Sequence, residues 1–201
     1  MFDFVEEELS LRNISCFKNH ELSLILWSFA ASGHFSADLF KLCQEEILSR
    51  DLSLFKADEL SQLVWAFGRS TFSSSDFFSR IEKEVLCKVS IFSDNDLCFI
   101  LHGFGQASAG TRKLFEQLER EVLHRNIPEN KPELIPELAL AFSKCSSYEA
   151  LLIFDAMEKV LKVNGPSLYT DHKLQGMSTA FSKVGKELPF AAEYKKESDT
   201  V

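Results

Sequence analysis

The sequence predicts an all-α fold, an α-solenoid of about five helix-pair repeats with a period of 37–39 residues. Two columns of Phe support this prediction. One column lies at Phe29, Phe67, Phe104, Phe142 and Phe181, and the other at Phe2, Phe40, Phe78, Phe115 and Phe154. No stretch alternates with period two for long enough to indicate a strand. A fixed period in this range is typical of one supersecondary unit that buries its apolar face against copies of itself.

The first helix of each copy, helix A, is nearly apolar and carries the first Phe column. We expect the five A helices near residues 21–33, 59–71, 96–108, 134–146 and 173–185. Ahead of four of them stands a residue whose side-chain oxygen suits a helix N-cap: Asn19, Asp58, Asp94 and Asp171. Pro132 takes the comparable place in the fourth copy. Proline is tolerated there, since a helix start does not need its missing N–H.

The second helix of each copy, helix B, is acidic and amphipathic and carries the second Phe column. Phe78-Ser-Arg-Ile-Glu-Lys-Glu-Val85 is one example, with apolar residues at i, i+3 and i+7. We expect the acids of these helices on the outer or edge surface of the array, away from any ligand: Glu45, Glu46, Glu82, Glu84, Glu119 and Glu121.

Residues 1–190 are predicted to form a single helical-repeat array, and residues 191–201 a frayed C-terminal tail. The chain opens in a B-type helix, and neither end shows a clear polar capping unit of the kind that closes most solenoids. We therefore expect either a longer array or neighbouring proteins that cover the repeat ends.

Composition excludes several classes of protein. The 201 residues are 45% hydrophobic, but no run approaches the roughly 18 apolar residues that a membrane span requires, so no span is predicted. The five Cys form no CxxC pair, which favours reduced, buried thiols over a zinc site or a disulfide framework.

No catalytic constellation is apparent. The five His are scattered, no His-x-x-x-His or acid pair recurs at ligand spacing, and there is no glycine-rich phosphate loop. We therefore expect a protein that is not an enzyme and that uses no metal, cofactor or small-molecule substrate.

The formal net charge of −8 is unevenly distributed. Within the five A-helix windows, four acids balance four bases: Glu21, Glu59, Asp96 and Glu137 against Arg69, Lys144, Lys173 and Lys183. The whole net negative charge therefore belongs to the B helices and loops. Net acidity weakens the case for a nucleic-acid ligand, but a neutral A layer reduces that objection.

Two further columns indicate what the A helices bind. Two residues after each first-column Phe the chain has Ala31, Arg69, Gln106, Lys144 and Lys183, and two residues before it Trp27, Trp65, His102, Leu140 and Thr179. Positions four apart share a helix face. Cations that neutralise phosphates beside rings that stack on bases suit single-stranded RNA. The candidate RNA-binding residues are therefore Arg69, Gln106, Lys144 and Lys183, with Trp65 and His102 for stacking.

Two plainer interpretations stay open. Trp27 and Trp65 at helical spacing could be core residues, and Arg69, Lys144 and Lys183 could form an ordinary solvated face.

The motif Leu-Ser-x-Leu-x-Trp-Ala-Phe, followed by an acidic helix with a Phe at a 37–38-residue period, resembles the octotricopeptide and heptatricopeptide repeats. Those repeats occur in organellar proteins, often with a C-terminal RAP domain, and are akin to those of FAST-kinase-like mitochondrial proteins. The resemblance covers residues 1–190, is clearest in the copies ending at Gly33 and Ser70, and includes no RAP domain. It implies RNA binding in a mitochondrion, or alternatively a plastid.

The preferred hypothesis is therefore an organellar RNA-binding protein. The resemblance favours a protein subunit of a mitochondrial ribosome, or a factor in RNA maturation or stability, with organellar rRNA or a transcript as the ligand. The alternative is a protein–protein scaffold subunit of a large mitochondrial assembly that makes no direct RNA contact.

Overall fold

A computed structural model describes residues 2–72, 74–145 and 148–190, and within those ranges the protein is all-α with no strand. The eleven α-helices of these ranges are α1 (Phe2–Ser10), α2 (Asn19–Ala31), α3 (Ala37–Ser49), α4 (Ala57–Arg69), α5 (Ser75–Lys88), α6 (Asp94–Gln106), α7 (Arg112–His124), α8 (Ile127–Asn130), α9 (Ile135–Ser143), α10 (Leu151–Asn164) and α11 (Asp171–Lys183). The predicted A helices correspond to α2, α4, α6, α9 and α11, and the predicted B helices to α1, α3, α5, α7 and α10.

A short 3-10 helix precedes each A helix, and the chain divides into two compact units. The 3-10 helices are Ile14–Cys16, Leu52–Leu54, Val89–Ile91, Pro132–Leu134 and Pro166–Leu168. Unit 1 is Met1–Gly110 and unit 2 is Thr111–Val201. In unit 1, α2 packs against α4 and α4 against α6, while α1 packs against α3. In unit 2, α9 packs against α11, and α7 and α8 pack against α10.

Each A helix overlaps its predicted window. Four of them are 13 residues long and begin and end two residues ahead of the window. The exception is α9, which has 9 residues and carries Pro136 in its first turn. The predicted tail at residues 191–201 lies outside the described residues.

The predicted N-caps are wrong by one or two residues. Asn19, Asp94 and Asp171 are the first residues of their helices, Asp58 is the second of α4, and the capping positions are Lys18, Lys56, Ser93 and Thr170. The acid at the third helical position does the capping in unit 1. Glu21 accepts from the Lys18 backbone N–H at 2.6 Å, Glu59 from that of Lys56 at 2.8 Å, and Asp96 from that of Ser93 at 3.0 Å. A negative charge at this position also interacts favourably with the positive end of the helix dipole, which stabilises the helix.

The two Phe columns form the core. The nine rings outside Phe2 are each at most 3% exposed: Phe29, Phe40, Phe67, Phe78, Phe104, Phe115, Phe142, Phe154 and Phe181. Rings of the two columns meet edge to face, with centroids 5.2 Å apart for Phe78 and Phe104 and 5.0 Å apart for Phe154 and Phe181. This geometry suits the aromatic quadrupole and joins B helices to A helices.

Glycine sets the spacing of two A helices in unit 1. A Cβ added to Gly68 would lie 2.3 Å from the carbonyl oxygen of Gly103, and one added to Gly103 would lie 2.3 Å from that of Val64. The backbones of α4 and α6 therefore touch, which only glycine allows.

In three B helices, the residue one turn after the Phe hydrogen-bonds to the loop before the next B helix or to the start of that helix. Glu6 accepts from the Ser36 hydroxyl and contacts the His34 ring, and Gln44 accepts from the Ser74 N–H at 2.8 Å. In unit 2, Glu119 accepts from the Tyr148 hydroxyl and the Ile153 N–H. These partners lie 28 to 34 residues later in the chain.

The prediction that the B-helix acids lie on the outer surface is wrong for Glu82 and Glu119, which are buried. Glu119 is inside because its carboxylate satisfies a backbone N–H at the start of α10. Glu45 is exposed as predicted, and Glu46, Glu84 and Glu121 are half-buried.

A base four residues later pairs with one acid in every B helix. The N···O distances are 4.0 Å for Glu8–Arg12, 2.7 Å for Glu46–Arg50, 3.5 Å for Glu84–Lys88, 2.7 Å for Glu121–Arg125 and 2.6 Å for Glu158–Lys162. Two of these bases also reach the previous copy, since Arg50 donates to the Ser15 carbonyl and Lys88 to that of Ser53. The acidic helices are therefore partly neutralised by their own bases.

Candidate nucleic-acid interface

The A helices of unit 1 carry a row of three rings, Trp27, Trp65 and Phe99, called the aromatic row below. The centroids of Trp27 and Trp65 are 6.1 Å apart, and those of Trp65 and Phe99 are 5.9 Å apart. All three side chains are half-buried. The two tryptophans therefore fit both interpretations, core residue and stacking surface. They pack on one another, and each still presents part of its side chain to solvent.

Arg69 lies one turn after Trp65 and stacks on it. Its guanidinium carbon is 4.8 Å from the centroid of the Trp65 ring. Arg69 is exposed and has no carboxylate partner among the described residues. A cation–π contact holds the guanidinium in place while its N–H groups stay free. The same contact covers part of the Trp65 face that a base would need.

On α6, His102 and Gln106 lie on the same face as Phe99. Nε2 of Gln106 is 3.4 Å from Nε2 of His102, and spacings of three and four residues place all three side chains along one side. His102 is half-buried and Gln106 exposed. The contact between Trp65 and Phe99 joins this side to α4. The structure therefore brings four predicted site residues together on two neighbouring helices: Trp65, Arg69, His102 and Gln106.

In unit 2, Lys144 follows α9 and Lys183 ends α11, two helices that pack together. Partial burial lowers the pKa of Lys144, and the like charge of Lys183 lowers it further. The two ammonium groups are therefore close enough to repel, and neither has a carboxylate partner among the described residues. No aromatic side chain accompanies them in the column of Leu140 and Thr179.

The acids of the A layer are used within the chain. Glu21, Glu59 and Asp96 accept from backbone N–H groups at helix starts, and Glu137 pairs with Lys173 at 3.0 Å. The acids of this layer therefore have hydrogen-bond or ion-pair partners within the chain, whereas Arg69, Lys144 and Lys183 have no carboxylate partner in the described part of the chain.

The prediction that Arg69, Gln106, Lys144 and Lys183 face one groove involves both units and stays a prediction. Sequence analysis missed Phe99. Its column contains Leu24, Gln62, Phe99, Glu137 and Gly176, whose chemistry differs in every copy. No sequence signal could therefore have identified it; only the contact with Trp65 does.

The cysteines are only partly as predicted. Cys43 and Cys98 are buried and Cys145 is half-buried, but Cys16 and Cys87 are exposed. Burial is the main cause that raises the pKa of Cys43 to about 12. Within residues 2–72, 74–145 and 148–190, no three His, Cys, Asp or Glu side chains lie close enough to hold a metal ion, and no helix is long and apolar enough to cross a membrane.

No protein-family model and no curated protein matches the chain. A proposed function therefore depends on the residues of this interface.

Proposed function

We propose that this protein binds single-stranded RNA through the exposed side of its A helices, as an organellar helical-repeat protein of the octotricopeptide or heptatricopeptide type. The proposed setting is a mitochondrial ribosome, of which it would be a protein subunit, or else RNA maturation or stability in a mitochondrion or plastid. In this proposal the five helix pairs form one continuous solenoid.

The observation that supports RNA binding most is the difference between the acids and the bases of the A layer. Glu21, Glu59, Asp96 and Glu137 have partners within the chain, whereas three of the four bases have no carboxylate partner among the described residues. Phosphates are the anions that such bases would bind. The acidity of the whole chain lies mainly in B helices, where five bases offset part of it.

In this proposal the two kinds of side chain have separate roles. Arg69, already held over Trp65, would bind a phosphate, and Gln106 would hydrogen-bond a base edge or phosphate. Bases would stack on the free surface of the aromatic row or on His102, since stacking tolerates any base. Lys144 and Lys183 would bind phosphates.

The alternative is a protein-binding scaffold without RNA. The observation that favours it is the recurrence of exposed apolar side chains in the 3-10 helices, at Leu54, Ile91 and Leu168. Recurring exposed apolar residues are more typical of protein contacts than of RNA contacts.

Two charge-reversed variants distinguish these functions. In the first, Arg69, Lys144 and Lys183 are changed to Glu; in the matched control, Lys41, Lys83 and Lys113, exposed on B helices, are changed to Glu. We expect the first variant alone to lose binding to a fluorescent single-stranded RNA of random sequence, and to lose its crosslinks to RNA in purified organelles. If both variants bind and crosslink as the natural protein does, the scaffold function replaces RNA binding.

The solenoid is tested separately by an experimental structure. It should show α6 and α9 packed as α4 and α6 are; any other arrangement would contradict a single array.

A further inference from the structure

One face of α1 is more exposed than the same face of the following B helices. Val5 is 38% exposed, whereas Cys43 and Ile81, at the same place one and two copies later, are fully buried. Phe4, the residue before Val5, is 66% exposed. Apolar side chains with this degree of exposure mark a contact surface when they are grouped.

The neighbouring A helix shows the same difference. Ile25 on α2 is only half-buried, whereas Leu63 on α4 and Ile100 on α6 are fully buried. Leu24, beside Ile25, is 48% exposed. We call Phe4, Val5, Arg12, Leu24 and Ile25 the α1–α2 face.

The packing within unit 1 shows what covers these positions elsewhere. Gly103 on α6 approaches Val64 on α4, so this side of an A helix packs on the preceding A helix. The residue at that place on α4, Ala66, is buried, and the one on α2, Ser28, is half-exposed. The side of α2 that corresponds to a helix–helix contact in α4 and α6 therefore has no helix against it among the described residues.

Arg12 provides independent evidence. At the same place in the next copies, Arg50 donates to the Ser15 carbonyl and Lys88 to the Ser53 carbonyl, both in the 3-10 helix of the preceding copy. The only partner of the Arg12 guanidinium among the described residues is Glu8, at 4.0 Å. Arg12 therefore has free donors that would match the carbonyls of such a turn.

A second copy of this chain bound head to tail is a poor match. The last A helix of the described residues is α11, where Gln175, Ser178 and Ser182 are exposed. At the same places on α4 lie Ser61, Val64 and Gly68, all buried against α6 or within unit 1. A polar, solvated surface gains little from covering Leu24 and Ile25.

We propose that the α1–α2 face is a docking surface for an A–B helix pair of this same repeat type, with its 3-10 turn, carried by another protein. The partner's A helix would bring small apolar residues against Ser28, its B helix would cover Val5, and its turn carbonyls would accept from Arg12. This interaction is independent of RNA binding, because it uses none of the candidate RNA-binding residues.

A chain with residues 1–38 duplicated ahead of Met1 tests the proposal with a helix pair of known sequence. The 38-residue step between Phe2 and Phe40 places the added α1 and α2 before the α1–α2 face in register. The reporter is Val5→Cys in the original copy only, labelled with a maleimide after the exposed Cys87 and every copy of the exposed Cys16 have been changed to Ser. We expect labelling to slow at least about tenfold when the added pair is present, because a packed thiol reacts only after local opening.

The matched control carries Ala30→Glu in the added copy, which places a charge where the fully buried Ala30 would pack on Ser28. Labelling should then return to the rate of the unduplicated chain. Equal labelling rates with and without the intact added pair would overturn the proposal.

Two further results bear on the source of the partner. Sedimentation velocity of the natural chain should show a monomer; a dimer that Ile25→Asp abolishes would mean that a second copy covers this face, contrary to the proposal. A photo-crosslinker at position 24 should join to a helix and turn of a different protein that bears this repeat. Crosslinks to RNA or to non-helical segments would contradict it.

Discussion

The Glu119 carboxylate is a buried acid with a structural role. It is 3% exposed, accepts from the Ile153 N–H at 3.0 Å, and accepts a second hydrogen bond from the Tyr148 hydroxyl. Desolvation, followed by the hydrogen bond to Glu119, raises the pKa of Tyr148 to about 12, so Tyr148 stays a donor across the neutral range.

Replacing Glu119 by Ala should lower the free energy of unfolding by about 1–3 kcal/mol, because the buried Ile153 N–H and the half-buried Tyr148 hydroxyl lose their acceptor. Glu119→Gln should cost less, since Gln44 uses an amide oxygen for the same kind of contact in another copy. Urea denaturation measures both. The control is Glu45→Ala at an exposed site, with an expected change within about 0.5 kcal/mol. A loss for Glu119→Ala no larger than the control's would show that the carboxylate does not hold α10.

Glu6 predicts a pH dependence. The hydrogen bonds from Ser36 and then from His34 hold the pKa of Glu6 below its ordinary value of 4.5. A lowered acid pKa stabilises the folded state above the unfolded pKa, and this contribution is lost as pH falls through the folded pKa. The natural chain should therefore lose more stability between pH 4.5 and lower values than Glu6→Gln, which cannot titrate. If the free energy of unfolding changed with pH equally in the two proteins, the role given to Glu6 would be contradicted.

At the scale of the elements, helix spacing in unit 1 depends on two glycines. The three A helices there do not contact through large side chains alone, because α4 and α6 touch at Gly68 and Gly103. Close approach brings Ser61 on α4 to Asp96 on α6, and their side chains hydrogen-bond. The same approach lets Trp65 reach Phe99, so the aromatic row depends on the spacing that glycine allows.

Gly103→Ala should destabilise the protein by about 1–3 kcal/mol or more, because its Cβ would overlap the Val64 backbone and push α4 from α6. Gly176→Ala on α11 is the matched control, since nothing lies within 4 Å of its added Cβ. That variant should gain up to about 1 kcal/mol from helix propensity. Thermal unfolding compares them, and equal effects of both substitutions would show that the contact does not set the spacing.

For the whole molecule, the distribution of charge matters more than its sum. The net charge of −8 would oppose RNA if it were spread evenly. It belongs instead to the B helices and loops, and in the B helices acids pair with bases at i+4. The A-helix windows are neutral in sum, and Glu21 and Glu59 there accept from the backbone at helix starts. Within the A layer, Arg69, Lys144 and Lys183 have no carboxylate partner in the described part of the chain.

The salt dependence of RNA binding tests this distribution. Each phosphate contact adds about 0.7 to the slope of log K against log salt for a single strand. Changing Arg69, Lys144 and Lys183 together to Gln should therefore reduce the magnitude of this negative slope by about 2. The same changes at Lys41, Lys83 and Lys113 should leave it nearly unchanged. Fluorescence anisotropy at several salt concentrations gives the slopes, and equal losses in both variants would indicate nonspecific attraction.

The sequence by itself determined the helical class, the copy length and the burial of the nine Phe side chains, because these depend on periodic apolar residues that recur in every copy. It also placed Arg69 one turn from Trp65 and His102 one turn from Gln106, since residues four apart on a helix always share a face.

Only the tertiary structure decided which polar groups are satisfied within the chain. The burial of Glu119, the stacking of Arg69 on Trp65 and the contact of Trp65 with Phe99 depend on how neighbouring helices approach. Glu119 lies four residues after Phe115 and the exposed Glu45 five residues after Phe40, so spacing places them on different faces of their helices. Spacing does not show that the buried acid has a donor 29 residues later in the chain, and the pairing of distant residues is the information that a local pattern lacks.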